Sequence, residues 1–302
     1  MIFYRYDQFS NKKMGKKTFI TVTLLFFACL VVYAQDVDSK INDIKMAMIE
    51  GNYETGLKEC ELLLKSGITD TTQLAMVYGY AGLSSEALKH KTEAIQYYKK
   101  AVELQMPQLD VYDKLINLAK KEKNDSVYVF ALLEKLKAFP EYNDEIKKSL
   151  AYQYLNTKQY GKLLIVTEEL LNLSPDDANF LYLKGVALQN LNQAEESKVY
   201  FSDVLKINPD HSGANMSLGL IIYNEGSEIF LKRKKEYEAI AKPDRVNYWE
   251  YEKGIEKGKT LYRQALPYLL KAYESGSYPD LKPIIFNTYV RLEQKDKAEK
   301  YR

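Results

Sequence analysis

The sequence predicts an all-α fold, an α-α superhelical solenoid built from helix hairpins. Three observations support this prediction: a repeat of about 34 residues, apolar residues at helical spacing within each repeat, and a composition suited to helices. The chain has 302 residues, of which 46% are apolar, and it contains only 14 Gly and eight Pro. Such a chain can build a large core and is poor in the residues that interrupt helices.

The repeat is visible at two sets of positions. Prolines recur at spacings of 35 and 34 residues, and small residues recur at spacings of 34. The prolines are Pro140, Pro175 and Pro209, and the small residues are Ala151, Gly185 and Gly219. A period of this length indicates a solenoid, in which each unit buries its apolar face against the next.

Each unit contains the signals of two helices. Asp177 or Ser212 is predicted to cap a first helix, because a side-chain oxygen there can accept a hydrogen bond from a free N–H group. Gly185 lets a neighbouring helix approach closely, residues 190–192 form a turn, and Pro209 ends the second helix. Apolar residues at helical spacing are Phe180, Leu181, Leu183, Ala187 and Leu188, then Val199, Tyr200, Phe201, Val204 and Leu205.

These units resemble the tetratricopeptide repeat family. The best matches are residues 78–104 and 181–211, with Tyr78, Ala81, Gly82, Ala94, Tyr98 and Ala101 in the former and Leu181, Gly185, Phe201 and Pro209 in the latter. The resemblance covers most of residues 37–302. It implies a solenoid over residues 35–302 with about six units plus a half unit, and a scaffold that binds a protein or peptide partner without catalysis.

One segment departs from the repeat. Gly219 and Ala265 are 46 residues apart, whereas the equivalent Gly82 and Ala94 are 12 apart, so the difference equals one whole unit. An extra repeat would account for the difference. It would also place charged side chains such as Lys253 at buried positions, which costs on the order of several kcal/mol.

The sequence therefore favours one extended helical hairpin over about residues 213–275. Helices near 213–241 and 247–275 would be joined at residues 242–244. The tip of the hairpin is predicted to project, either as a second docking surface or as a longer cap. Ile222, Ile229, Phe230, Tyr237 and Ile240 would pack against Trp249, Tyr251, Ile255 and Tyr262.

Residues 1–34 have the pattern of an N-terminal extension and signal peptide. Four lysines at positions 12–17 precede an apolar run at 18–34, and Val32-Tyr33-Ala34 suits cleavage before Gln35. The functional start is predicted at Met14 as an alternative to Met1. We expect export to the periplasm or cell envelope, with an uncleaved inner-membrane anchor at 18–34 as the alternative.

Charge and residue types exclude several function classes. Residues 1–34 hold five Lys or Arg and one Asp, so a chain that starts at Gln35 has a net charge of −2 and no general attraction to nucleic acid. The two histidines have no His or Cys at ligand spacing, which argues against a metal site. No cofactor motif or catalytic motif is present, so no cofactor and no enzyme activity are predicted. Cys60 is expected to be buried, and Asp176-Asp177 to serve as a helix cap.

Candidate binding residues lie on the first helices, which by resemblance line the concave groove. Tyr offers area and a hydroxyl, and Asn can clamp a peptide backbone. These side chains are predicted either to hold a protein or peptide partner or to pack between repeats. They are Tyr152, Leu155, Asn156, Tyr182, Gln189, Asn190, Tyr223 and Asn224.

Two further surfaces have alternative interpretations. Exposed Tyr side chains and Trp249 are the basis of an alternative function, the binding of a glycan or another small ligand. The basic run at 232–235 is interpreted as a solvated helix face, with contact to an anionic lipid or polymer as the alternative. Contact with a membrane is otherwise predicted only through an uncleaved segment 18–34.

Overall fold

The computed structural model describes residues 37–302, which are mostly helical and contain no strand, with pairs of consecutive helices packed together, such as Thr71–Ala87 with Lys91–Glu103 and Ala178–Asn190 with Ala194–Ile207. The all-α prediction is confirmed. The predicted extension and signal peptide at 1–34 lie outside the described residues. The helices are α1 (37–49), α2 (Tyr53–Lys65), α3 (Thr71–Ala87), α4 (Lys91–Glu103), α5 (Leu109–Lys121), α6 (Asp125–Ala138), α7 (Asn143–Asn156), α8 (Tyr160–Leu173), α9 (Ala178–Asn190), α10 (Ala194–Ile207), α11 (Ser212–Glu238), α12 (Arg245–Glu274), α13 (Lys282–Arg291) and α14 (Lys295–Ala298).

The chain forms two compact units, one ending at Ile146 and the other covering Lys147–Arg302. In the first unit, one apolar cluster joins α1, α2 and α3 around Ile44 and Cys60. A second cluster joins α3 to α6 around Tyr98 and Tyr112. Cys60 is fully buried, as predicted.

In the second unit, small residues permit the close contacts that the repeat predicts. A β-carbon added to Gly185 on α9 would stand 2.7 Å from the Phe201 ring on α10. One added to Gly219 on α11 would stand 2.9 Å from the Leu269 side chain on α12. Glycine at these positions therefore sets how closely the helices of a pair approach.

The helix caps agree with the prediction at one position and correct it at another. The carboxylate of Asp177 accepts hydrogen bonds from the backbone N–H groups of Asn179 (2.8 Å) and Phe180 (3.3 Å), as expected for a cap of α9. Ser212 is wrong as the cap of α11. His211 holds that position, and its Nδ1 accepts from the backbone N–H of Ala214 at 3.1 Å. An unprotonated imidazole nitrogen can replace an oxygen as the acceptor there.

The extended hairpin is present as α11 and α12, of 27 and 30 residues. The connection lies at 239–244, and Asp244 caps α12 by accepting from Asn247 N–H at 2.8 Å. Ring contacts join the two helices, including Tyr237 with Tyr251 (4.6 Å between centroids) and Phe230 with Tyr262 (6.1 Å).

Two details of the hairpin differ from expectation. α11 ends at Glu238, three residues before the predicted end. The chain must turn before Pro243, which disfavours a helical residue in front of it, and before Asp244, the N-cap of α12. Trp249 is 60% exposed and borders a recess with Ile229 and Lys232 of α11, so it is not buried between the two helices as predicted. At 100° per residue, it lies about 120° around α12 from the inward-facing Ile255 and about 140° from the inward-facing Tyr262. None of the described helices is long and apolar enough to cross a membrane.

Candidate protein-binding face

The eight predicted binding residues all lie in the second unit, on α7, α9 and α11, the first helices of consecutive pairs. Tyr152, Leu155 and Asn156 follow the three- and four-residue spacing that places side chains on one helix face. Tyr152 is 50% exposed and Asn156 is exposed, whereas Leu155 is half-buried. The α7 residues therefore form an accessible patch with an aromatic ring and an amide, which we call the α7 patch.

Tyr182 on α9 is engaged in packing within the unit. Its ring centroid lies 5.9 Å from that of Phe201 and 4.6 Å from that of His211. Burial raises the pKa of the Tyr182 hydroxyl above its ordinary value, Tyr278 adds to this, and a hydrogen bond with Ser217 opposes it. These contacts fit the alternative role of packing between repeats.

Tyr223 on α11 belongs to an aromatic cage around Arg291. The guanidinium carbon of Arg291 lies 5.9 Å from the ring centroid of Tyr223, 5.5 Å from that of Phe230 and 5.2 Å from that of Tyr262. The guanidinium also donates a hydrogen bond to Ser227 Oγ at 2.8 Å and another to the Tyr262 hydroxyl. The aromatic cage thus holds the Arg291 side chain of α13 against the extended hairpin.

The predicted binding residues with amide side chains on α9 and α11 differ in how accessible they are. Asn190 is exposed, but its amide donates to the carbonyl oxygen of Val186 at 2.9 Å within α9. Gln189 is half-buried and Asn224 is exposed. The structure therefore groups the α7 residues on one accessible face and draws Tyr182 and Tyr223 into interhelix packing. Partner binding by the eight residues stays a prediction.

A cavity of about 370 Å³ in the first unit was missed by the sequence reasoning. Its apolar wall includes Ile49, which is 77% exposed, and its polar wall includes Glu86 and Lys114, 3.9 Å apart. Glu86 also accepts a hydrogen bond from the buried Tyr98 hydroxyl at 2.7 Å. The lining is Met48, Ile49, Tyr53, Leu83, Glu86, Ala87 and Lys114.

This cavity could have been found from the repeat pattern. Apart from Tyr53, its lining comes from the first helices α1, α3 and α5 or the residues beside them. These are the same kind of helix as those that carry Tyr152 and Tyr182. The binding residues predicted from the sequence lie only on the first helices of the later repeats.

The described part of the chain offers few side chains that could bind a metal or act as a nucleophile. Residues 37–302 contain no cluster of three or more His, Cys, Asp or Glu that could hold a metal. Burial raises the pKa of Cys60 to about 12, so its thiol is a poor nucleophile. The absence of a cofactor and of enzyme activity stays a prediction.

The family model for the tetratricopeptide repeat matches residues 76–105 and 178–211. These segments correspond to the helix pairs α3–α4 and α9–α10, and they are the two best matches that the resemblance identified. The chain thus contains tetratricopeptide repeats at these two segments.

Several solved structures are similar to this chain at low identity. A protein from Bacteroides ovatus ATCC 8483 is 16% identical, with 73% of this chain and 98% of that chain covered and a TM-score of 0.46. YrrB, described as a TPR protein with an unusual peptide-binding site, is 18% identical, with 63% and 95% covered and a TM-score of 0.37. MamA from Desulfovibrio magneticus RS-1 is 17% identical, with 66% and 98% covered and a TM-score of 0.38. No curated protein matches the sequence.

Proposed function

We propose that this tetratricopeptide repeat protein is a non-catalytic scaffold of the bacterial cell envelope that binds a protein or peptide through the α7 patch. The observation that supports this most directly is the half-exposed Tyr152, one helical turn from the exposed Asn156. An aromatic ring next to an amide suits a peptide, because the ring contributes apolar area and the amide pairs with the peptide backbone.

Amide groups on two later first helices are proposed to extend this binding surface. Gln189 on α9 and Asn224 on α11 keep amide groups that are at least partly accessible. Tyr182 and Tyr223 support these helices from inside the unit through the contacts described above. The partner is therefore proposed to contact α7 first and the exposed amides of α9 and α11 second.

The α7 patch can be tested by site-specific photo-crosslinking in cells. A photoreactive phenylalanine analogue at position 152 is expected to capture a partner that mass spectrometry identifies. The same analogue at position 165 is a matched control, because Ile165 is 60% exposed on α8, the second helix of that pair. Equal capture from both positions, or none from 152, would place the interaction elsewhere.

A substitution then tests the contribution of the ring. Tyr152→Ala is expected to weaken capture at a neighbouring α7 position by about 10-fold or more, a typical cost for an interface aromatic. The exposed ring carries little of the fold, so the helicity should be unchanged. Unchanged capture by a folded Tyr152→Ala chain would remove this side chain from the binding site.

The envelope location rests on the signal-like pattern of residues 1–34. Cell fractionation with N-terminal sequencing is expected to find a chain beginning at Gln35 in the periplasmic or envelope fraction. An intact chain in the membrane fraction would favour the anchor formed by 18–34. A chain in the cytoplasmic fraction would contradict both.

A second candidate function is the binding of a glycan on exposed rings. Tyr248 and Trp249 at the hairpin are 51% and 60% exposed, respectively. Titration with cell-wall oligosaccharides, followed by Trp249 fluorescence, tests this function, because Trp249 is the single Trp of the chain.

A further inference from the structure

The outer part of the extended hairpin, residues 231–257, has no partner in the rest of the protein. Among the described residues, every hydrogen bond, ion pair and ring contact of this segment stays within α11, α12 and their connection. The contacts with α13 and the turn after it lie further in, at Ser227, Phe230 and Lys259. We call residues 231–257 the hairpin tip.

The acidic side chains of the hairpin tip are mostly occupied within the hairpin. Glu236 pairs with Arg233 at 2.8 Å, and Glu238 with Lys234 at 3.8 Å. The remaining acidic groups with a partner include Asp244, which caps α12, and Glu256, paired with Arg263 at 2.7 Å, while Glu252 raises the pKa of the nearby Tyr248 hydroxyl. Glu250 is the acid of the tip for which the structure shows no such partner.

The cations of the tip are mostly unpaired. Within the described residues, no carboxylate pairs with Lys232, Lys235, Lys242, Arg245, Lys253 or Lys257. Lys232, Lys253 and Lys257 border one recess of about 550 Å³ beside Trp249. The tip holds eight Lys or Arg and six Asp or Glu, a net charge of +2, and its unpaired cations can meet an anionic partner.

Apolar side chains are exposed next to these cations. Val246, Tyr248 and Trp249, in the first turns of α12, are 61%, 51% and 60% exposed. The Lys253 ammonium lies 5.0 Å from the Trp249 ring centroid. Trp and Tyr beside Lys and Arg are the side chains that favour the boundary between lipid headgroups and acyl chains.

From these features we propose that the hairpin tip docks on an anionic membrane surface. Tyr248 and Trp249 leave α12 about 100° apart, because successive residues of a helix are separated by that angle. A peptide lying along one side of the hairpin would reach only one of them. A deformable lipid surface that receives the end of the hairpin can contact both, while the lysines meet the headgroup phosphates. This contact is additional to any that the predicted segment 18–34 makes.

Trp249 provides a direct test, because its emission reports the tip alone in the whole chain. Vesicles containing phosphatidylglycerol are expected to shift the emission to shorter wavelength and to protect it from acrylamide quenching. Vesicles of phosphatidylcholine alone should leave it unchanged. About 0.5 M NaCl should reverse the effect, because salt screens attraction between exposed charges. A membrane segment at 18–34 would bind both vesicles and would not move the Trp249 emission.

Two triple variants distinguish an effect of the tip lysines from an effect of the net charge of the whole protein. Lys232→Gln, Lys253→Gln and Lys257→Gln together are expected to weaken vesicle binding about 100-fold, since each lysine near an anionic surface contributes on the order of tenfold or somewhat less. Lys58→Gln, Lys120→Gln and Lys121→Gln remove the same charge from exposed helical positions in the first unit and should leave binding unchanged. All six positions are exposed, so both variants should fold.

Several results would overturn the proposal. They are an unchanged Trp249 emission with anionic vesicles, an equal shift with neutral vesicles, and equal binding by the two triple variants. A shift produced by an acidic peptide such as polyglutamate, without a shift by anionic vesicles, would assign the tip to an acidic protein instead. The crosslinking at position 152 is independent of all these outcomes, so failure of the scaffold proposal and failure of this proposal can be told apart.

Discussion

The ring of Phe201 lies so close to Gly185 that a β-carbon at Gly185 would stand 2.7 Å from Cε1 of the ring. Both residues are fully or almost fully buried, and Phe201 is among the largest buried side chains of the protein. The contact joins the first and second helices of one repeat. It gives the atomic reason for the small residue at position 185.

Gly185→Ala is therefore expected to destabilise the protein by about 1–3 kcal/mol, the usual cost of overpacking a core. The buried ring cannot move aside freely. Thermal or urea unfolding measures the change, and Gly161→Ala is the matched control. Gly161 lies on α8 with nothing within 4 Å of its added β-carbon, so that substitution should be neutral or slightly stabilising. Equal stability of the two variants would contradict the contact.

The aromatic cage around Arg291 is expected to hold α13 on the extended hairpin. Arg291→Ala should cost about 2–4 kcal/mol, because it removes charge-assisted hydrogen bonds and cation–π contacts together. Arg291→Lys should recover only part of this, since an ammonium cannot reproduce the planar fork. In the Arg291→Ala variant, amide hydrogen exchange should become faster first in α13 and α14.

A matched substitution tests whether this effect is specific. Arg302 is exposed and pairs with Glu299 at 3.3 Å, so Arg302→Ala should change stability by no more than about 0.5 kcal/mol. In a double-mutant cycle, Arg291→Ala and Ser227→Ala should be non-additive. Additive effects would mean that the hydrogen bond at 2.8 Å contributes no stability.

Adjacent carboxylates give a test of helix capping. Asp177 accepts two backbone hydrogen bonds, and Asp177→Ala is expected to cost about 1 kcal/mol, within the range known for N-caps. Asp176 is exposed and outside the cap, so Asp176→Ala should stay within about 0.5 kcal/mol of the parent in urea unfolding. A larger loss from Asp176→Ala than from Asp177→Ala would reverse the assignment.

The buried thiol of Cys60 predicts sensitivity to alkaline pH. Its pKa in the folded chain is about 12, raised mainly by burial and further by Glu61 and Glu59, whereas an unfolded chain titrates near 8.5. The folded chain therefore keeps a proton that the unfolded chain releases. This stabilisation is complete below about pH 8.5 and decreases as the pH rises toward 12.

The slope of unfolding free energy against pH measures this effect. Between about pH 9 and 10, Cys60 should contribute a decrease of at most about 1.4 kcal/mol per pH unit. Cys60→Ala lowers stability at neutral pH but should give a shallower decrease. Iodoacetamide should label the Cys60 peptide slowly in the folded chain and quickly in urea. Fast labelling of the folded chain would show that the thiol is accessible.

The sequence determined the local features of this protein. The 34-residue recurrence of Gly185 and Gly219 identified the repeat, because a close helix contact requires a small residue regardless of what surrounds it. Asp177 was identifiable as a cap from its place before an apolar helical pattern. The extended hairpin followed from the cost of burying charges such as Lys253, which depends on residue type alone.

Only the tertiary structure decided which side chains are occupied within the protein and which are free. Tyr152 and Tyr182 occur on equivalent first helices, yet one is half-exposed and the other packs against Phe201 and His211. Likewise, the sequence shows nearly balanced charge around Trp249, and the structure shows which carboxylates are already paired. Pairing and burial depend on residues far apart in the chain, so a local pattern cannot specify them.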